Sequence, residues 1–194
     1  KDIIFGDNKK ALFGGSGDLQ LYHDGSNSRI HDGGTGGLIL SSSQFIVKNA
    51  AQNENMIVGT ENGAVTLYYD NSAKLGTTST GIAVNSTYDI ASTNTATSAT
   101  TQTAIHTLAA ATFRSARFTV QVTNSTDSTY MVSEILMIHD GTTPSISEYG
   151  VIFTGAAREA AFTADISSGN IRLLATPAST DTMAFKVVAH SIVT

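Results

Sequence analysis

The stretch Leu19-Gln20-Leu21-Tyr22-His23-Asp24-Gly25-Ser26-Asn27-Ser28-Arg29-Ile30 recurs in altered form as Val65-Thr66-Leu67-Tyr68-Tyr69-Asp70-Asn71-Ser72-Ala73-Lys74-Leu75. Each copy alternates apolar and polar residues into an Asp-Gly or Asp-Asn turn and leaves on a basic residue followed by an aliphatic one. That is the period-2 pattern of a β-hairpin with one face toward a core. Each copy closes on Gly and an aliphatic segment, Gly36-Gly37-Leu38-Ile39-Leu40 and Thr80-Gly81-Ile82-Ala83-Val84, so the unit spans roughly 45 residues, a period typical of arrays. With Asp24 to Asn27 as the turn, Leu21 is expected opposite Ile30 and Tyr22 opposite Arg29. The second copy is one residue shorter, and a three-residue loop would set Leu67 opposite Leu75 and Tyr68 opposite Lys74, keeping the aromatic-to-cation pair. Such a pair contributes about 0.2–1 kcal/mol, and an isolated hairpin is marginal in water. The aliphatic face therefore needs a partner, and the expected one is the same face on neighbouring chains.

Residues 1–89 read as a repeated hairpin, shaft-like segment. Its strands are Ile3–Phe5, Ala11–Phe13, Leu19–His23, Arg29–His31, Leu38–Leu40, Gln44–Val47, Met56–Val58, Ala64–Tyr69, Lys74–Leu75 and Ile82–Val84, with Ala50–Asn55 open to a helical turn. Residues 90–103 are Ser/Thr-rich and read as a linker, able to lie extended on a neighbouring surface. Residues 104–194 hold seven denser strands, Ile105–Ala109, Phe113–Thr123, Thr129–His139, Ser145–Phe153, Ala160–Ile166, Ile171–Thr176 and Met183–Val193, which predict an antiparallel β-sandwich knob. Phe118, Val120 and Val122 are expected inward. Ile135-Leu136-Met137-Ile138 is apolar on both faces, as in a central strand or one covered by a neighbouring protomer. The fold class is all-β: a repeated short-hairpin segment followed by a C-terminal antiparallel sandwich, intertwined as a trimer.

Charged residues make up 14% of the chain and the net charge is -5, with eleven scattered Lys and Arg; phosphate binding needs clustered cations, so nucleic acid is not expected as a partner. There is no cysteine, which removes disulfides and thiolate chemistry, and no apolar run reaches the length of a membrane-spanning helix. The chain starts on Lys1, without a visible signal peptide, and reads as a piece of something longer, with Lys1 to Gly6 the tail of a preceding repeat.

Three His-Asp-Gly triplets, at His23, His31 and His139, are explained as strand ends followed by tight turns. No metal or cofactor is expected. The metal reading retained is three copies of His23 meeting on a three-fold axis, because His23 shares a predicted face with Leu19 and Leu21; His106 and His190 have no evident partners. Glu134 and Glu148 are the candidate acid pair, and glycoside hydrolysis needs two carboxyls about 5–9 Å apart. Like charges directly opposite destabilise a hairpin, so the expected register sets Glu134 against Tyr149. No phosphate loop or nucleophile elbow is present, and no catalytic residue is expected. The sequons Asn85-Ser86-Thr87 and Asn124-Ser125-Thr126 arise easily by chance in such a composition.

The words Asp18 to Ser28, Thr35-Gly36-Gly37-Leu38 and Glu61 to Asn71, with Lys74-Leu75 and Thr77 to Gly81, resemble repeats in tail-fibre and other virion appendage proteins of marine tailed bacteriophages, cyanophages especially. Phe113 to Val122, Ile138 to Thr143, Glu148-Tyr149-Gly150 and Asp165 to Leu174 are similar to a module at the C-terminus of such proteins. The resemblance implies a trimeric structural protein of the virion, assembled in the host cytoplasm, whose partners are itself, other tail or baseplate proteins, and host surface glycan or protein. Loops on a rigid sandwich are where recognition is expected, so the receptor-contact candidates are Asn124, Asp127, Tyr130, Asp140, Thr142 and Thr143. The alternative is a carbohydrate-binding adhesion module without a shaft role, against which the six dispersed tyrosines and absent tryptophan weigh.

Overall fold

The computed structural model describes residues 2–85 and 87–194. Lys1, and Ser86 at the centre of the first sequon, lie outside the described residues. Among the described residues there are sixteen strands and no helix, all paired antiparallel. The chain divides into Lys1–Ser42 and Ser43–Thr194, a break between the two hairpin copies and not at the Thr-rich stretch.

The first unit is the sheet β1 (Lys10–Phe13), β2 (Leu19–His23) and β3 (Ser28–Asp32), in that order. Its hairpin has the expected register, Leu21 opposite Ile30 and Tyr22 opposite Arg29. The turn is held by Asp24, whose Oδ1 accepts the amides of Ser26 and Asn27. Arg29 does not stack on Tyr22. It pairs with Asp24 and holds that carboxyl well below the usual range, while Lys10 on β1 supplies the cation over Tyr22, 4.7 Å from the ring centre. Ile3–Phe5 and Leu38–Leu40 form no strand; among the described residues neither pairs with a strand, and Ile39 is left 82% exposed.

The second unit starts with β4 (Gln44–Lys48), β5 (Asn55–Thr60), β6 (Val65–Tyr69), β7 (Ser72–Thr77), β8 (Gly81–Val84) and β9 (Tyr88–Thr97). It continues with β10 (Thr103–Ala109), β11 (Phe113–Asn124), β12 (Thr129–His139), β13 (Pro144–Phe153), β14 (Ala160–Ser167), β15 (Asn170–Pro177) and β16 (Met183–Val193). A ten-stranded sheet runs β13-β12-β11-β16-β9-β8-β7-β6-β5-β4, and a three-stranded sheet runs β10-β15-β14. Ala50 to Glu54 is a turn closed on Asn49, whose Oδ1 accepts the amides of Asn53 and Glu54, so the helical option is not realised.

In the second hairpin Leu67 does face Leu75, but Tyr68 faces Ala73 and not Lys74. The loop has two residues, Asp70 and Asn71, both with positive φ (51° and 54°), the backbone of a type I′ turn that matches strand twist. Two residues have left the loop and one, Lys74, is inserted as a bulge. Lys74 points its ammonium at Asn85 Oδ1, 3.1 Å away, so the aromatic-to-cation pair is lost.

The Thr-rich stretch contains a strand. β9 pairs along its whole length with β16, Met183 opposite Thr97 through Ile192 opposite Tyr88, and its first half also pairs with β8. It sets Ala91, Thr93, Thr95 and Thr97 toward the large inward residues of β16, where small side chains fit. β9 thereby joins the hairpin ladder to the sandwich. The core lies between β10-β15-β14 and the β13-β12-β11-β16-β9 part of the large sheet; Phe118, Val120, Val122, Ile135, Leu173 and Phe185 are fully enclosed. Inward alternation on β11 is as expected. β12 is flanked by β11 and β13; Ile135 and Met137 are buried, while Leu136 and Ile138 remain 49% and 54% exposed on the outer face.

Candidate functional site

The six candidate contact residues fall at the two ends of β12, which separates them by about 35 Å at a rise of about 3.3 Å per residue. Asn124, Asp127 and Tyr130 belong to the β11–β12 turn, and Asp140, Thr142 and Thr143 to the β12–β13 turn. They are two surfaces and not one site.

Asn124 is not available to a ligand, being 2% exposed. Its Oδ1 accepts the amides of Thr126 and Asp127 at 3.0 and 3.2 Å. Its Nδ2 donates to Glu159 Oε2 at 3.2 Å and Asp181 Oδ2 at 3.0 Å. Thr129 donates to Glu159 Oε1 at 2.6 Å and Ser179 to Asp181 Oδ2 at 2.6 Å. The Ser179 hydroxyl and the Asn124 amide together hold the Asp181 carboxyl below its ordinary range. One amide thus ties three loops, which is a structural task. Asp127 and Tyr130 are exposed, and Tyr130 borders a groove of about 230 Å³ with Gln121, Ile152, Phe153 and Thr154.

At the other end Asp140 Oδ1 accepts the amides of Thr142 and Thr143 at 2.8 and 2.7 Å and the Thr142 hydroxyl at 2.8 Å. Those bonds, the Thr143 amide first, lower its carboxyl to about 2. All three residues are exposed, but the polar atoms of the turn are largely spent on the turn itself. Asp32 likewise accepts the amide of Gly34, so each His-Asp-Gly triplet is a strand end capped by its own aspartate. His139 is buried with both ring nitrogens bonded, to the Phe113 carbonyl at 2.7 Å and from the Gly141 amide at 3.0 Å. His23 is exposed.

Glu134 faces Tyr149, as expected, and Glu148 faces Ile135. The two carboxylates point to opposite sides of the sheet: Glu134 accepts from Thr119 on the outer face at 2.8 Å, while Glu148 accepts from buried Ser133 at 2.6 Å and pairs with Arg158. They cannot flank one scissile bond.

A larger groove, about 640 Å³, lies on the outer face of the large sheet and is lined by Tyr88, Arg117, Leu136, Ile138, His190 and Ile192 among others. His190 and Tyr88 share a hydrogen bond between Nδ1 and the phenol oxygen. The double-sided apolar run of β12 foretold part of this surface; the contributions of β9 and β16 required knowledge of the register. His106 is the second partner missed. The bulge at Ile105 turns both Ile105 and His106 inward. The Thr93 hydroxyl donates to the Ile105 carbonyl at 2.7 Å and lies 3.1 Å from His106 Nδ1, which must therefore be the protonated nitrogen. Nε2 has no partner and burial lowers the imidazole to about 4.

No protein-family model matches the chain, and no curated protein matches it. Among solved structures, the chain is similar to the tailspike protein of Acinetobacter phage vB_ApiP_P1, with 18% identity and a TM-score of 0.33 over 55% of this chain and 22% of that one. It is also similar to the tailspike of Acinetobacter baumannii phage AM24, with 9% identity and a TM-score of 0.34 over 56% of this chain and 26% of that one. The chain thus spans only a small part of either tailspike.

Proposed function

We propose that the chain is a structural segment of a virion appendage, of the tail-fibre kind its repeats resemble, built from three copies of itself and joined to other tail or baseplate proteins. It carries no catalytic role; it is assembled in the host cytoplasm and exposed on the particle. The observation that supports self-assembly is burial: among the described residues none before Ala91 is buried, although eight strands precede it. Strands with apolar faces and no interior of their own gain stability only from other chains. Sedimentation equilibrium at micromolar concentration tests this. A species of three 20.2 kDa chains is expected, and a folded monomer would overturn the reading.

Host contact falls to the Tyr130 end of the sandwich. Tyr130, Asp127, Gln121 and Thr154 combine an aromatic face with hydrogen-bonding groups, the chemistry that suits a sugar. Each neutral bond there is worth about 0.5–1.5 kcal/mol net, and copies on one particle raise the avidity. The same groove supports the second reading, a carbohydrate-binding adhesion module with no shaft. Glycan binding retained by a monomeric form would favour that module.

A further inference from the structure

The strand pairings connect the hairpin ladder to the sandwich through one face. Starting from β4, residues directly opposite one another run Val47, Ile57, Leu67, Leu75, Val84, Tyr88, Ile192, Ser115, Ile138 and Ser145. Opposed residues in a ladder share a face, so this is a single row crossing all ten strands. Two residues along each strand, on the same face, lies a second row that includes Phe45, Val65, Ile82, Ile90, His190 and Leu136. In the sandwich this face is the outer one, the side away from β10-β15-β14. Ile192, Ile138 and Leu136 are about half exposed on it, as are Leu67, Val65 and Phe45 further along.

We infer that this two-row band is where copies of the chain pack on one another, the bands of the three copies facing a shared axis. The inference rests on the self-assembly reading above and adds the face. Ten strands at a spacing of about 4.8 Å make the band about 43 Å long, and two rows of side chains make it about 12 Å wide, an area on the order of 500 Å². That is at the upper end of apolar patches on monomeric proteins. Three such bands covered together remove on the order of 1,500 Å², within the size range of specific association.

The chemistry of the band selects a like surface over a charged partner. Its ionisable groups are Tyr88, His190 and Arg117; the first two are bonded to each other, and Arg117 is turned toward Glu134, 3.8 Å away. What remains is mainly apolar, with small serines at the β11 and β13 end into which side chains of another copy can pack. A small ligand would need an end wall, whereas this surface continues from the groove across the hairpin ladder.

The chain has no cysteine, so single Leu67→Cys, Ile138→Cys and Ala161→Cys variants report accessibility without background. Ala161 is exposed on β14, outside the band. With each variant at the concentration where sedimentation shows the assembly, maleimide modification of Leu67→Cys and Ile138→Cys is expected at least tenfold slower than that of Ala161→Cys. The rates should converge once urea dissociates the copies. Failure of Leu67→Cys or Ile138→Cys to assemble, with Ala161→Cys assembling normally, also supports the band. Equal rates in a confirmed assembly overturn the face while leaving self-assembly intact. Protection in a particle of single-chain mass means that the chain covers the band itself, and overturns the proposal. A folded, unprotected monomer overturns both this inference and the reading beneath it.

Discussion

His106 is the residue whose environment departs furthest from what its neighbours in sequence suggest. Its imidazole is buried against Phe118, with ring centres 5.5 Å apart, and bonded only through Nδ1. The folded-state value of about 4 lies below the unfolded one, so between pH 6.5 and 4 the unfolded chain binds a proton that the folded chain refuses. Stability therefore falls as pH drops through that window and levels off near 4, by about 3 kcal/mol at most. His106→Leu should flatten the melting temperature over pH 4–6.5; an unchanged slope in the variant would place the titration elsewhere. Asn124 gives a second test. Replacing it by Ala leaves the buried Glu159 with the Thr129 hydroxyl alone and removes two turn bonds, so denaturant unfolding should show a loss of about 2 kcal/mol. A near-neutral result would mean the three loops do not depend on that amide. Neither role was legible beforehand. A period-2 pattern assigns faces correctly on β11, where pairing is regular, but the bulge at Ile105 breaks the period, and an Asn in a polar turn looks the same whether its amide faces solvent or two carboxylates.

Among the elements, the sandwich strands were legible because β11, β12 and β16 are long runs that set large apolar residues at alternate positions, Phe118, Val120 and Val122 on β11, Met131, Ile135 and Met137 on β12, and Met183, Phe185 and Val187 on β16. β9 was not, since its inward positions are Ala and Thr, chosen to fit beneath Phe185 and Val187 and indistinguishable in composition from a linker. The second hairpin register was half legible for a related reason: loop length fixes Leu67 against Leu75 only together with the Lys74 bulge. The junction of β8 and β9 makes a prediction at this scale. A Cβ on Gly81 would lie 1.8 Å from the Ile90 carbonyl oxygen, a contact no side-chain adjustment relieves because the obstacle is backbone. Gly81→Ala should therefore separate β8 from β9. Hydrogen exchange should show lost protection at the β8–β9 pairs while the amides of β11 and β16 stay protected; protection retained at Ile82 and Ile90 would show that the strands can shift without parting.

For the whole molecule, burial is divided unevenly along the chain, and stability should be divided the same way. Every buried residue among those described lies at or beyond Ala91, so a fragment of residues 88–194 keeps the entire core between β10-β15-β14 and β13-β12-β11-β16-β9. It loses the β8 edge of β9 and the bond from the Val193 amide to the Thr87 carbonyl. The hairpin half has ladder hydrogen bonds and apolar rows but no enclosed side chain, and burial is the dominant favourable term in folding. Its stability must then come from association and depend on concentration, because whatever binds only the folded form stabilises it by mass action. The fragment 88–194 carries its own core and is expected to melt cooperatively even at nanomolar concentration. Residues 2–87 alone should show strand signal in circular dichroism only as the concentration rises, with the midpoint moving upward over each tenfold increase. Were residues 2–87 to melt cooperatively at one fixed temperature from nanomolar to micromolar, the hairpins would have an interior of their own, and the need for further copies would disappear.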